Sequence, residues 1–196
     1  MNATATLPRL ILASASPRRL DLLRQIGIEQ VVIDAAEIDE RPLNNELPAA
    51  HAARLALAKA RAVAARHGDG FVLAADTVVG CGRRILPKAE TEAEAARCLA
   101  LLSGRRHRVL GGICVIAPGG KTVQRLVTSI VRFKRLTAPE IASYIESGEW
   151  RGKAGGYAIQ GRAGAFAIHL TGSYSNIVGL PLYEAQAMLR GLGWPA

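Results

Sequence analysis

Five stretches of the chain gather residues whose types could do chemistry. The first is Ser14-Ala15-Ser16-Pro17-Arg18-Arg19. A strand-like run leads into a small-residue turn, then into a helix start carrying two arginines. Free backbone N–H groups and the helix dipole attract an anion there, and each guanidinium can fork onto phosphate oxygens. A plain helix start with two surface arginines reads equally well. The second stretch centres on Asp76, which follows the apolar run Phe71 to Ala75. A carboxylate is costly to bury without a partner. Ligands collect at the carboxyl ends of strands in open α/β sheets, so Asp76 could hold Mg2+ or take a proton from water. It could also shape a turn by bonding its own backbone.

The third group is dispersed. Glu37, Asp39 and Glu40 precede a long helical pattern that carries Lys59, and Lys88 follows a hairpin-like turn at Arg83-Arg84. Each alone reads as a solvated charge. Together they are the carboxylates and cations that a metal–triphosphate site requires. The fourth runs from Gly152 to Gly161. Its glycines allow close backbone approach to a ligand, and Gln160 offers amide donors and an acceptor to a base edge. The fifth, Gly172 to Pro181, reads as a loop ahead of a closing helix.

The elements that must position these residues follow from periodicity and punctuation. Arg9 to Ala13, Gln30 to Ile33 and Phe71 to Ala75 read as strands, the last ending at Asp76 with Val78-Val79 beyond it. Ser16 then Pro17 marks a helix start, with Leu20, Leu23 and Ile26 on one face. Asp34 to Pro48 reads as an acidic loop over a cleft, and Pro48 to His67 as a helix stopped by Gly68-Asp69-Gly70. Thr91-x-x-Glu94 and Thr137-x-x-Glu140 match capping boxes, opening helices to Leu102 and about Ser147. Val109 to Ile116 and Val123 to Phe133 read as a hairpin around Pro118-Gly119-Gly120, and Ala165 to Leu170 as a further strand. Pro181 to Arg190 closes the chain as a helix. Alternating strands and helices followed by a hairpin predict an α/β fold with a mixed sheet flanked by helices.

Composition narrows the class. With 196 residues and 49% hydrophobic content the chain can bury its own core, and residues 1–196 read as a single domain. A formal net charge of +9 suits a polyanionic partner. Only 5% of residues are aromatic, however, and no basic tail occurs, so nucleic-acid recognition is poorly supplied. The three cysteines, Cys81, Cys98 and Cys114, form no CxxC pair and no even framework, which points to a reducing cytoplasm rather than disulfides or zinc. Met1 to Pro8 lacks the pattern of a secretory leader, and no apolar run approaches ~18 residues, so no membrane span is expected.

Six stretches taken together resemble the Maf family of nucleoside triphosphate pyrophosphatases: SASPRR (14–19), LALAKA (55–60), ADTVV (75–79), LSGRRHRV (102–109), KAGGYAIQG (153–161) and GSYSNIVGLPL (172–182). Each is weak alone; their order and spacing make the set specific, and it covers roughly residues 9 to 190. The resemblance implies a twisted mixed sheet with a cleft between two lobes, akin to the inosine-triphosphate pyrophosphatases. It implies a Mg2+- or Mn2+-dependent attack of water on the α-phosphorus, with pyrophosphate leaving. Asp76 matches the proton acceptor and Glu40 an acidic position near the metal, which Asp76 would share. Ser14, Arg19, Lys59 and Lys88 match positions around the phosphates. Arg18, Thr77 and Gln160 match the specificity set of the dTTP/UTP kind. A single amide can donate to O4 and accept from N3–H of thymine or uracil, a pattern cytosine reverses. The resemblance also implies a homodimer.

Three departures from the family pattern stand out: Lys88-Ala89 with Pro87 ahead, Gly111-Gly112, and Trp150-Arg151-Gly152. They bear on fine substrate preference, leaving 7-methyl-GTP or a broader set of nucleotides as the alternative. A second alternative implied by the resemblance is a regulator that acts by binding a septation partner or nucleic acid.

Overall fold

The structure is a computed structural model that describes residues 8–195. The N-terminal stretch Met1 to Pro8, expected not to be a leader, lies outside the described residues except for Pro8. A mixed sheet runs in the order β2-β1-β3-β6-β7-β9: β1 (Leu10–Leu12), β2 (Val31–Ile33), β3 (Phe71–Cys81), β6 (Arg106–Ile116), β7 (Thr122–Phe133) and β9 (Ala167–Thr171). β1 pairs parallel with β2 and β3; from β3 onward every pairing is antiparallel. β4 (Arg84–Leu86) folds back on β3 as a hairpin, and β5 (Lys88–Ala89) pairs with β8 (Lys153–Ala154) in a separate two-stranded ribbon. The expected α/β mixed sheet is therefore present.

Helices cover both faces. α2 (Pro48–Ala64) lies across β3 and β6, burying Ala56, Ala60 and Val63 against Ile11, Val72, Ala74 and Cys114. α1 (Pro17–Gln25), α3 (Glu92–Leu102), α4 (Ala138–Glu146) and α6 (Leu182–Gly191) pack on the larger core, where Leu73, Leu99, Leu102, Phe133, Trp150 and Leu189 are fully buried. Both predicted capping boxes form: Thr91 and Thr137 each accept from the backbone N–H three residues on, and Glu94 and Glu140 reach back to the cap. Trp150, one of the departures, is core, and its indole N–H donates to Ile145 O at 2.8 Å.

Three expectations change. β3 does not stop at Asp76 but continues to Cys81, because Asp76 is paired to β6 opposite Gly112 and its charge is met by a lysine described below. The stretch read as a loop from Gly172 contains a short helix, α5 (Tyr174–Val178), capped by the Ser173 hydroxyl, which accepts from Asn176 N. The segment before β9 is a 3-10 turn (Arg162–Phe166), so that strand begins two residues later than expected.

Gly112 shows why small residues stand in β6. A Cβ there would lie 2.1 Å from Ala52 O, so α2 seats on the sheet only over a bare backbone. Gly112→Ala should therefore push α2 outward and cost a few kcal/mol, on the order of other overpacking changes. Thermal melting checks this, and an unchanged melting temperature would contradict it.

Candidate active site

A cleft of about 280 Å3 opens between the β1–α1 turn, the loop from Asp34 to Leu47, the β5–β8 ribbon and the end of α5. The structure brings Ser14, Arg18, Arg19, Glu40, Lys59, Asp76, Thr77 and Lys88 to its walls. Gln160 is not among them; it is exposed on the turn after Ile159. Of the three neighbouring acids, Glu40 faces the cleft, whereas Glu37 is exposed and Asp39 pairs with Arg41.

Lys59 is the hub of the charged half. It lies on α2, only 6% exposed, and its ammonium donates to Asp76 Oδ1 at 2.6 Å and stands 2.6 Å from Glu40 Oε1. Asp76 itself is 3% exposed. Glu40 also accepts from Lys88 Nζ across the cleft. Burial alone would raise the Glu40 carboxyl, but hydrogen bonds from Lys59 and Lys88 overcome it and hold the group down to about 2. Two carboxylates and two ammoniums thus neutralise one another.

Arg19 is the hub of the other half. It is 9% exposed, in the first turn of α1. Its Nη1 donates to Ser14 Oγ at 2.7 Å, Nε to Gly179 O at 2.9 Å and Nη2 to Thr77 Oγ1 at 3.3 Å. One guanidinium therefore ties the β1–α1 turn, β3 and the end of α5 together. Burial lowers its pKa and the nearby Asp76 charge offsets part of that; an arginine remains charged regardless. Ser16 occupies the cap position of α1 with its side chain free of a capping bond, so the helix N-terminus is open toward the cleft.

Supporting contacts set this geometry. The loop carrying Glu40 is pinned at one end to the turn that follows α2 and at the other to α2 itself. Asp34 pairs with Arg66 and His67, and the half-buried Glu46 binds Arg54 and His51. Lys88 is placed by the ribbon register, opposite Ala154, while Pro87 O accepts from Gly155 N at 2.9 Å. Ala89, another departure, is fully buried beneath it.

Asn176 was not singled out from sequence. It is fully buried, and its Nδ2 donates to Val109 O at 3.2 Å and Ser129 Oγ at 3.0 Å. Ser129 Oγ in turn donates to Ser173 O and accepts from Ser173 N. These bonds dock α5 on β6 and β7 and so hold Gly179 O where Arg19 and Thr77 meet it. A Cβ on Gly111 would fall 1.8 Å from Asn176 Oδ1, which explains the first glycine of that pair. The signal was available: an Asn three residues after a capping Ser, facing two glycines on a long strand. Tyr157 also lines the cleft, with His107 Nε2 2.8 Å from its hydroxyl; burial pushes the His107 pKa down to about 4, keeping that imidazole neutral near pH 7.

The donor set suits a hard divalent cation. Asp76 and Glu40 offer carboxylate oxygens across a single ammonium, and no group of three or more His, Cys, Asp or Glu side chains gathers among the described residues. One or two carboxylates are what Mg2+ takes when substrate phosphates supply the other ligands, so these residues fit such an ion as a shared site rather than a cage.

The fold is that of a wider group of α/β proteins. It is similar to the Ham1 protein of Staphylococcus aureus, with a TM-score of 0.56 at 14% identity, covering 93% of this chain and 98% of that one. A HAM1 protein from Coxiella burnetii gives a TM-score of 0.55 at 14% identity, covering 94% of this chain and 100% of that one. The family is narrower. Residues 9–192 match the family described as Maf-like protein, and the chain belongs to the Maf family. Similar relatives include the dTTP/UTP pyrophosphatase of Paramagnetospirillum magneticum, 65% identical over 94% of this chain and 97% of its own. That of Caulobacter vibrioides is 61% identical over 95% and 97%. No helix among the described residues is long and apolar enough to cross a membrane.

Proposed function

We propose that this chain is a single-domain, cytoplasmic nucleoside triphosphate pyrophosphatase that hydrolyses dTTP and UTP to the monophosphate and pyrophosphate. The observation that carries the reading is the Asp76–Lys59–Glu40 array facing Arg19 and the open end of α1. Relatives named for this activity at 65% and 61% identity support it across nearly the whole chain.

Mg2+ or Mn2+, held by Asp76 and Glu40, would supply charge neutralisation on the triphosphate oxygens. The protein's own residues do the rest. The helix N-terminus and Ser14 receive phosphate oxygens, and Arg19 holds that turn rigid. Asp76 accepts the proton of the attacking water as its oxygen bonds to the α-phosphorus. The bond to the bridging oxygen breaks and pyrophosphate departs. Lys59 orients Asp76 for that step by direct hydrogen bonding, and Lys88 meets charge that develops on the leaving side. Arg18 and Thr77 face the base half of the cleft. Gln160 completes base discrimination if the nucleotide extends over the turn from Tyr157.

Pyrophosphate release from dTTP, UTP, CTP, GTP and 7-methyl-GTP, with Mg2+ or Mn2+ and with chelator, tests the reading. Hydrolysis should be strongest on dTTP and UTP and should vanish with chelator. Preference for 7-methyl-GTP would overturn the base assignment. Silence on all five would favour a binding regulator instead.

A further inference from the structure

Two side chains outside the cleft hold the turn that carries Gln160. The turn leaves the cleft wall at Tyr157 and is closed by Gly161 N, which donates to Ala158 O at 3.1 Å. That bond puts Ile159 and Gln160 at the centre of the turn. Ile159 is buried and Gln160 exposed, so one central side chain roots the turn and the other faces outward. The Ala158 N–H donates to the hydroxyl of Tyr144, on α4, at 3.0 Å. Tyr144 is only 2% exposed, and its ring stands edge-on to Phe166 at 5.5 Å. Burial pushes its pKa up to about 12, so it stays a neutral hydroxyl. At the other end of the turn Arg162 N donates to Glu149 Oε2 at 2.8 Å. A Cβ on Gly161 would lie 2.1 Å from that same oxygen. Glu149 is followed by Trp150, whose indole N–H is bonded to Ile145 O of α4.

We propose that Tyr144 and Glu149 are positioning residues that set discrimination between UTP and CTP by fixing where the turn holds Gln160. The inference rests on the reading of Gln160 as a base-reading amide and names residues that reading did not use. Three arguments carry it. An amide that donates to O4 and accepts from N3–H reads uracil, but the same amide turned end for end suits cytosine. Gln160 therefore discriminates only if the backbone beneath it is fixed. The turn belongs to no strand or helix, so no ladder of backbone bonds fixes it. The two side-chain bonds grip it just before and just after Ile159-Gln160-Gly161, and both come from α4 and the bend that follows it.

Steady-state kcat/KM for UTP and for CTP tests the proposal, because the two substrates differ only at the edge Gln160 would read. Tyr144→Phe keeps the ring and removes the hydroxyl; Glu149→Ala removes the other acceptor. Each should lower the UTP-to-CTP ratio by about tenfold, the scale of a small misplacement. Glu149→Gln keeps an acceptor oxygen and should hold the ratio within about twofold of the parent. Gln160→Ala should lower the ratio too, and adding Tyr144→Phe or Glu149→Ala to it should change the ratio by no more than about twofold. A parent-like ratio in Tyr144→Phe or Glu149→Ala would overturn the proposal. So would equal losses for UTP and CTP, a full further drop in the Gln160→Ala background, or a Glu149→Gln ratio as low as that of Glu149→Ala. A parent-like ratio in Gln160→Ala itself would strike the reading of Gln160 and the proposal with it, so the two failures are told apart. A parent that hydrolysed neither nucleotide would strike the pyrophosphatase reading alone, and the same ratios would then be read from calorimetric affinities for UTP and CTP.

Discussion

Asp76→Asn should lower kcat/KM for dTTP by about 10^2- to 10^4-fold, the range that general-base removal costs. The substitution keeps shape and hydrogen-bonding capacity but removes the charge that, in the proposed mechanism, accepts the water proton. Asp76 is buried mid-strand and held by Lys59 at 2.6 Å, so the asparagine has a fixed place and the fold should persist. Lys59 retains Glu40 as a partner, which limits the stability loss. The check is steady-state turnover alongside a melting curve. A variant that turned over dTTP at the parent rate would remove Asp76 from the mechanism.

Lys59→Met should be severe in both stability and turnover. It leaves Asp76 buried without its hydrogen-bond donor and lets Glu40 and Asp76 face one another unscreened. Removing one partner of a buried ion pair costs about 3–5 kcal/mol. For a chain of 196 residues this corresponds to a drop of roughly 10 °C in melting temperature. Turnover should fall by at least about 100-fold, because the array that orients Asp76 is gone. Combining Lys59→Met with Asp76→Asn should recover much of the stability, since the orphaned charge is then absent, but none of the activity. Additive stability losses in the double variant would contradict direct coupling between the two side chains.

The parts of this molecule that sequence made legible are those set by local rules. The capping boxes at Thr91 and Thr137, the Ser16-Pro17 helix start and the hairpin about Gly119 all depend on residues within a few positions. The parts that escaped depend on distant partners. Asp76 has low strand propensity, so β3 seemed to end there; Lys59, seventeen positions back on a helix, is what allows it to continue. Helix α5 spans only five residues, too short for any periodicity to register. Charge and spacing alone did not separate Glu40 from Glu37 and Asp39, because a loop has no period, and only the family resemblance selected it; its two lysines come from α2 and the β5–β8 ribbon.

The site was legible in the same uneven way. Motif resemblance pointed to Ser14, Arg18, Arg19, Lys59, Asp76, Thr77 and Lys88, and all of them line one cleft. It did not distinguish residues that hold the site from residues that face it. Arg19 is a clamp that makes one bond from each of its three nitrogens, while Asn176 and Ser129 fix the carbonyl that receives it. Such positioning roles depend on which backbone atoms converge, and no spacing rule reports that. Gln160 shows the converse: a plausible base reader by residue type that lies outside the cleft lining.

The central claim is that water attacks the α-phosphorus under the control of Asp76. Hydrolysis of dTTP in 18O-labelled water with Mg2+, followed by mass analysis of both products, tests it most directly. Label appearing in dTMP, with unlabelled pyrophosphate, is the predicted result. Label in inorganic phosphate with dTDP, or in pyrophosphate, would place the attack on another phosphorus and contradict the account.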